Sequence, residues 1–292
     1  MVLPLWMMLL PSVSATCTDF GSPETSGRVA ISGLTEASGI ARSLVREDVW
    51  YTHNDSGGEP ELFGFTTAGE LVGRYPLASV EAYDWEDIAT GPCPDDSSLS
   101  CIFIGDIGDN NHSRESVFVY VFRDDIVGPG DMVGQYSLQY EQSPLHEGRY
   151  RNAEALMVHP VTGRLYIVSK SKRNQIVYRG PEEFGEGILS QVAVLSHLPQ
   201  GSRINQITAG AFSPLGDSVV LRDYLRAYYW TIDPAEPESH WANQPLRVGL
   251  RLEPQGEAIG FSAAGDLYTI SEGDSSAITR IGCRQSQSTG GE

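Results

Sequence analysis

The sequence predicts an all-β fold: a β-propeller of five four-stranded blades, closed into a ring by the N-terminal strand. Three observations carry this expectation. One segment recurs five times, β-rich runs follow each copy at matching places, and amphipathic helical periodicity is scarce along the 292 residues. A six-bladed ring would need an undetected blade, and an open sandwich would leave the repeat unexplained.

Each copy of the repeat opens with a polar anchor and a small or apolar stretch: Ser38-Gly39-Ile40-Ala41, Glu86-Asp87-Ile88-Ala89, Glu154-Ala155-Leu156-Met157, Thr208-Ala209-Gly210-Ala211 and Glu257-Ala258-Ile259-Gly260. These are the expected innermost strands. Second strands follow at Val49 to Thr52, Cys101 to Ile104, Leu165 to Val168, Ser218 to Leu221 and Leu267 to Ile270. In three copies the connection is a Pro- or Gly-bearing turn ending at Gly163, at Gly216-Asp217 or at Gly265-Asp266, which suits a tight hairpin. Third strands are read at Glu61 to Thr66, Val117 to Arg123, Gln175 to Arg179, Arg226 to Ile232 and Ala277 to Ile281. Outer strands are visible in the first four copies, for example Glu70 to Tyr75 and Leu246 to Leu250, but the last copy runs out after three. Gly27 to Ser32 is the natural donor of the missing strand, and its pairing there would protect the edges of the ring. The anchors are 48, 68, 54 and 49 residues apart, about one four-stranded blade each.

Composition narrows the function. Twenty Lys and Arg stand against 38 Asp and Glu, a net charge of −18 that would repel nucleic acid and anionic membrane surfaces. Met1 to Ala15 reads as a signal peptide, apolar and ending in Val13-Ser14-Ala15; it is too short to span a bilayer, and no later run approaches that length. Residues 16–284 then form one propeller domain, and 285–292 a disordered tail. The expected location is secreted or periplasmic, with lipid anchoring at Cys17 as an alternative. Four cysteines without a CxxC spacing are expected as disulfides: Cys93 with Cys101 across a polar loop, and Cys17 with Cys283 where a ring brings the chain ends together.

In a propeller the innermost strands line a central channel, so Ser38, Glu86, Glu154, Thr208 and Glu257 would face one axis. Three carboxylates converging there would repel one another unless protonated or neutralised. An all-oxygen set suits Ca²⁺, whereas zinc would favour His or Cys. The competing reading is that each glutamate pairs with local amides or with an Arg or Lys. The same face collects the loops after the second strands, among them His53 to Gly58, Gly105 to Asn111, Ser169 to Asn174, Arg222 to Tyr224 and Ser271 to Asp274, together with Asp84-Trp85 and Asn152. Lys170 and Arg222 occupy equivalent strand ends in adjacent blades and are expected to point into one volume, where they would bind an anionic group or neutralise the glutamates. The run Asp55-Ser56-Gly57-Gly58 echoes a trypsin-like nucleophile motif, but no earlier segment can supply the histidine. Gly105 to Asn111 has neither the glycine order nor the following helix of a phosphate-cradling loop.

The order Ser38, Glu86, Glu154, Thr208 and Glu257 at blade starts resembles the calcium-activated nucleotidase (apyrase) family, whose five-bladed propeller holds Ca²⁺ on its axis. The resemblance implies these five residues as metal ligands, Thr208 replacing a serine, and Lys170 and Arg222 as phosphate-facing cations. The pattern also looks like uncharacterised secreted bacterial propellers and the phytase-like or SdiA-regulated propellers. Two functions follow as expectations. One is a calcium-dependent phosphohydrolase acting on an anionic phosphate ester or anhydride, with Lys170 and Arg222 stabilising charge and Asp106 or Asp55 positioning water. The other is a non-catalytic module binding a protein or glycan through its loop face. A glycoside hydrolase using two of the carboxylates is a third reading.

Overall fold

The computed structural model describes residues 16–285 apart from 127, 129, 131, 142–150 and 234. The signal-peptide expectation for residues 1–15, and the tail beyond 285, lie outside the described residues.

The chain is almost entirely β, with short 3₁₀ turns at Arg203–Asn205 and Ser239–Ala242. Strands β1 (Asp19–Phe20) and β2 (Glu24–Val29) precede a series of up-and-down meanders. The first meander is β3 (Ala37–Arg42), β4 (Trp50–Asn54), β5 (Glu61–Phe65) and β6 (Leu71–Pro76); the second is β7 (Trp85–Pro92), β8 (Ser100–Asp106), β9 (Val117–Arg123) and β10 (Met132–Tyr140). The third is β11 (Ala153–Val158), β12 (Leu165–Ser169), β13 (Ile176–Arg179) and β14 (Glu186–Val194); the fourth is β15 (Ala209–Phe212), β16 (Ser218–Arg222), β17 (Arg226–Thr231) and β18 (Leu246–Gly249). The last contains β19 (Ala258–Phe261), β20 (Leu267–Ile270) and β21 (Ser276–Ile281), and β2 completes it by pairing antiparallel with β21. The first strands β3, β7, β11, β15 and β19 touch one another in a closed cycle. This is a β-propeller, with those strands around its axis.

Two hairpins show how local sequence sets the meander. Gly216 and Gly265 both sit at positive φ (70° and 87°), and their amides close equivalent turns onto the carbonyls of Ser213 (2.9 Å) and Ser262 (3.1 Å). A side chain is strained in that backbone region, so glycine recurs there. Between β10 and β14 the outer strands pair in parallel, Ser137 opposite Glu186 to Tyr140 opposite Leu189, which fuses the second and third meanders into one eight-stranded sheet.

The core lies between adjacent meanders. Successive side chains of a strand point to opposite faces, so neighbours on an axial strand serve different interfaces. Ile40 packs with Ala258 and Ile270 of the last meander, whereas Ala41 packs with Ile88 and Ile104 of the second. Leu156 joins Phe103 and Ile167, while Met157 joins Leu221 and Trp230. Burial on both faces explains why the axial strands read as continuous apolar runs rather than alternating ones.

Two disulfides fasten the structure. Cys93–Cys101 bridges the hairpin between β7 and β8, and Cys17–Cys283 joins the ends of the described chain next to the β1 pairing with β22 (Cys283–Arg284). Cys17 therefore commits its sulfur to Cys283, the atom a thioether-linked lipid would need. No helix among the described residues is long and apolar enough to cross a membrane, and the two disulfides fit an oxidising extracellular or periplasmic setting.

Candidate metal centre at the channel mouth

The axial strands all begin at one end of the channel, and five carboxylates gather at that mouth. Oxygens of Asp55, Asp84 and Glu86 lie within 4.8 Å of one another, and so do oxygens of Asp55, Glu257 and Glu272. Asp55 is thus shared by two triads. Glu86 belongs to β7, and Glu257 directly precedes β19. Asp84 stands just before β7, while Asp55 and Glu272 follow the ends of β4 and β20, so each reaches the mouth because adjacent strands of a meander run antiparallel.

The cluster is electrostatically costly. Burial, then the charges of Asp55 and Asp84, push the Glu86 carboxyl well above its usual range. Asp55 is pushed up to about 6, by burial first and then by Glu257 and Asp84. Glu272 is pushed up to about 8 by burial and by its contact with Glu257. Asp84 is also raised by burial, against the opposing pull of Arg114.

The loop Ile107 to Asn110 closes in on these oxygens through Gly108. A Cβ at that position would stand 2.2 Å from Glu86 Oε1 and 2.4 Å from Asp84 Oδ2, so a side chain there would push both carboxylates from where they stand. Hydrogen bonds orient the other side of the mouth: Tyr224 donates its hydroxyl to Glu257 Oε1 at 2.8 Å, and Gln255 donates its amide to Glu272 Oε1 at 2.7 Å.

Lys170 lies at the mouth, where it is already engaged. Its Nζ forms an ion pair with Glu154 and lies 3.8 Å from Glu257 Oε1. Glu154 is 2% exposed, and its second oxygen has no hydrogen-bond partner. Lys170 therefore neutralises Glu154 and borders the triad of Asp55, Glu257 and Glu272 through Glu257, while the triad of Asp55, Asp84 and Glu86 has no such ion pair among the described residues.

Four sequence-predicted positions lie elsewhere or face differently. Arg222 does not share a volume with Lys170: it is fully buried, with Nη1 2.8 Å from Glu253 Oε2 and 3.0 Å from the Ala258 carbonyl. Its strand ends at the mouth, but the side chain turns into the interface with the last meander. Asp106 is held by Arg114 at 2.6 Å and accepts the Asp84 amide at 3.2 Å, so it supports the Asp84 loop and presents no free carboxylate for positioning water. Ser38 donates its hydroxyl to the Glu86 carbonyl, and Thr208 donates to the Gly256 carbonyl at 3.1 Å. Both hydroxyls staple one axial strand to the next.

Sequence reasoning placed Asp84 and Glu272 among the mouth loops without assigning them to the metal set, and read Asp55 as a water-positioning residue. Their convergence depends on loop paths that no spacing reveals. Asp87 was missed altogether. Its carboxylate is completely buried in the channel, accepting the amides of Ile88 (2.9 Å), Leu156 (2.9 Å) and Gly210 (3.2 Å).

No family model and no curated protein matches the chain. Among solved structures it is similar to a glucose dehydrogenase at 12% identity, over 90% of this chain and 99% of that one, with a TM-score of 0.52. It is also similar to the aldose sugar dehydrogenase of Escherichia coli (12% identity, 90% and 99% covered, TM-score 0.49) and to a chain of a nidogen/laminin complex (15%, 82% and 73%, TM-score 0.45). At such identities the likeness concerns the fold, and the first of them agrees with the propeller.

Proposed function

We propose that this chain is a secreted, five-bladed propeller that binds Ca²⁺ at its channel mouth and uses that centre to hold an anionic ligand. The carrying observation is the pair of carboxylate triads sharing Asp55. Five carboxylates at this separation need protons or a cation, and an all-oxygen set is chemistry for a hard ion. The cradle left by Gly108 and the raised Asp55, Glu86 and Glu272 carboxyls support the fit. Asp55, Asp84 and Glu86, with Glu257 and Glu272, would hold the ion. Glu154 would stay with Lys170, and Ser38 and Thr208 would shape the mouth from behind. When bound, the ion would supply positive charge for a phosphate or carboxylate oxygen. Lys170 would stand beside that ligand as a second cation.

The binding reading is favoured over the phosphohydrolase. Of the groups a hydrolase would use, Arg222 is sealed in the core and Asp106 is tied to Arg114, which leaves Lys170 and Asp55. The test is thermal unfolding in Ca²⁺ and in chelator, with phosphate release from nucleotides and phytate followed in the same samples. A calcium-dependent rise in melting temperature without phosphate release supports the proposal. Absence of any calcium effect overturns the metal centre, and calcium-dependent phosphate release overturns the preference for binding over hydrolysis.

A further inference from the structure

We propose that the opposite end of the channel is a second binding site, for a small monocarboxylic acid with a compact apolar body, its carboxylate on Arg42. Along each axial strand the mouth residue comes first, and the later residues line a separate cavity of about 190 Å³. Its walls come from around the ring and combine apolar side chains, including Ile88, Met157, Phe212 and Phe261, with the polar Thr90 and Ser213. Asp87 stands between the two ends in the β7 order, and its bonds to Leu156 and Gly210 cross the channel, so this cavity is chemically distinct from the acidic mouth.

Arg42 makes the cavity more than a packing gap. It lines the wall, it is partly buried, and its Nη1 donates to the Ser43 carbonyl at 2.8 Å. Among the described residues it forms no ion pair. Asp124, the acid that acts on it electrostatically, is held by the Ser43 hydroxyl at 2.8 Å, the Leu44 amide at 2.6 Å and the Ser100 hydroxyl at 3.1 Å. Arg42 is partly withdrawn from water with its one hydrogen bond to a carbonyl, so its guanidinium keeps donors that a bound carboxylate can satisfy. A guanidinium beside an apolar wall is the arrangement that fixes an amphiphilic acid, the charge setting orientation and the walls supplying affinity. The volume is below the roughly 300 Å³ at which sites for drug-sized ligands begin, which limits the ligand to a short-chain or single-ring acid.

The experiment is calorimetric titration of the full chain with phenylpropanoate, hexanoate and the neutral phenylpropanamide, in Ca²⁺ and in chelator. The expected result is one acid bound per chain, at least tenfold tighter than the amide and equally so in both buffers. Arg42→Gln should remove the preference for the acid. Ala211→Phe, which fills the cavity from β15 and leaves Arg42 in place, should abolish binding of acid and amide alike, with an unchanged melting temperature as the control for folding. The proposal is overturned if neither acid binds more tightly than millimolar, if acid and amide bind equally to the unmodified chain, or if Ala211→Phe leaves binding intact.

Discussion

Asp87 Oδ2 accepts the Gly210 amide at 3.2 Å although 123 residues separate the two in sequence. The bond runs from the second meander to the fourth, past the third, whose Leu156 amide is held by the same oxygen at 2.9 Å. Burial raises the Asp87 carboxyl, and the three amides oppose that shift, so one side chain ties three axial strands together. Asp87→Asn should therefore destabilise the ring by about 3 kcal/mol, because an amide nitrogen cannot accept from the donors that face it. Urea unfolding measures this, and a change below about 0.5 kcal/mol would show that the bolt carries no weight.

Calcium should stabilise the folded chain in proportion to its occupancy of the mouth. At a hundredfold excess over Kd the gain is about 2.7 kcal/mol. Asp55→Asn combined with Glu86→Gln should remove the calcium-dependent increment, and by relieving repulsion should raise the melting temperature in chelator. Differential scanning calorimetry reads both effects from one set of samples.

The mouth also sets a pH dependence. Asp55 and Glu272 titrate near 6 and near 8 in the folded chain, above the ordinary 3.8 and 4.5 expected once unfolded. Between those values the folded state holds protons that the unfolded state has lost, so stability without metal falls as pH rises from about 4 to about 8. Calcium takes the place of those protons and should flatten the slope. Denaturant midpoints at about pH 5 and about pH 8, in chelator and in calcium, test the sign; a chelator midpoint that rises with pH would contradict the assignment.

Arg222 should behave as a core residue. Its removal leaves Glu253 buried at 5% side-chain exposure without its cation, so Arg222→Ala should cost about 3 kcal/mol or more. Calcium affinity of whatever fraction folds should be unchanged, as measured by titration at low temperature. A selective loss of calcium or anion binding with full stability would return Arg222 to the mouth.

Of the two disulfides, Cys17–Cys283 spans 266 residues and Cys93–Cys101 spans 8, so the longer one constrains the unfolded chain more. Replacing Cys17 and Cys283 by Ala should lower stability by about 5 kcal/mol, and more than the same change at Cys93 and Cys101. Parallel unfolding curves of the two double variants decide it.

The axial strands were legible because Ser38, Glu86, Glu154, Thr208 and Glu257 each precede a small or apolar stretch and a second β-run, a pattern that requires the same local environment five times. The closing role of an N-terminal strand was legible from the strand missing after Ala277 to Ile281, although the segment that pairs is Glu24–Val29 and not Gly27 to Ser32. Side-chain direction at strand ends was not. Arg222 and Lys170 stand at equivalent strand ends, yet one turns inward to Glu253 and the other pairs with Glu154 on the neighbouring strand of its own meander. Asp87 escaped notice because it follows Glu86, and a carboxylate held by amides of three axial strands leaves no local signature. Asp55, Asp84 and Glu272 come from loops of three meanders, and only the closed ring makes them neighbours.

The pairing of β2 with β21 has a consequence for synthesis. Glu24 lies opposite Arg280, so β2 waits for a partner made much later in synthesis. Until then β2 and the edge of the last meander both expose unpaired amides and carbonyls, the surfaces by which sheets join other sheets. A chain interrupted before Ser276 can build its early meanders but can never hide those edges, which marks it for aggregation or proteolysis. Ring closure thus acts as an inspection, passed only by molecules translated through β21.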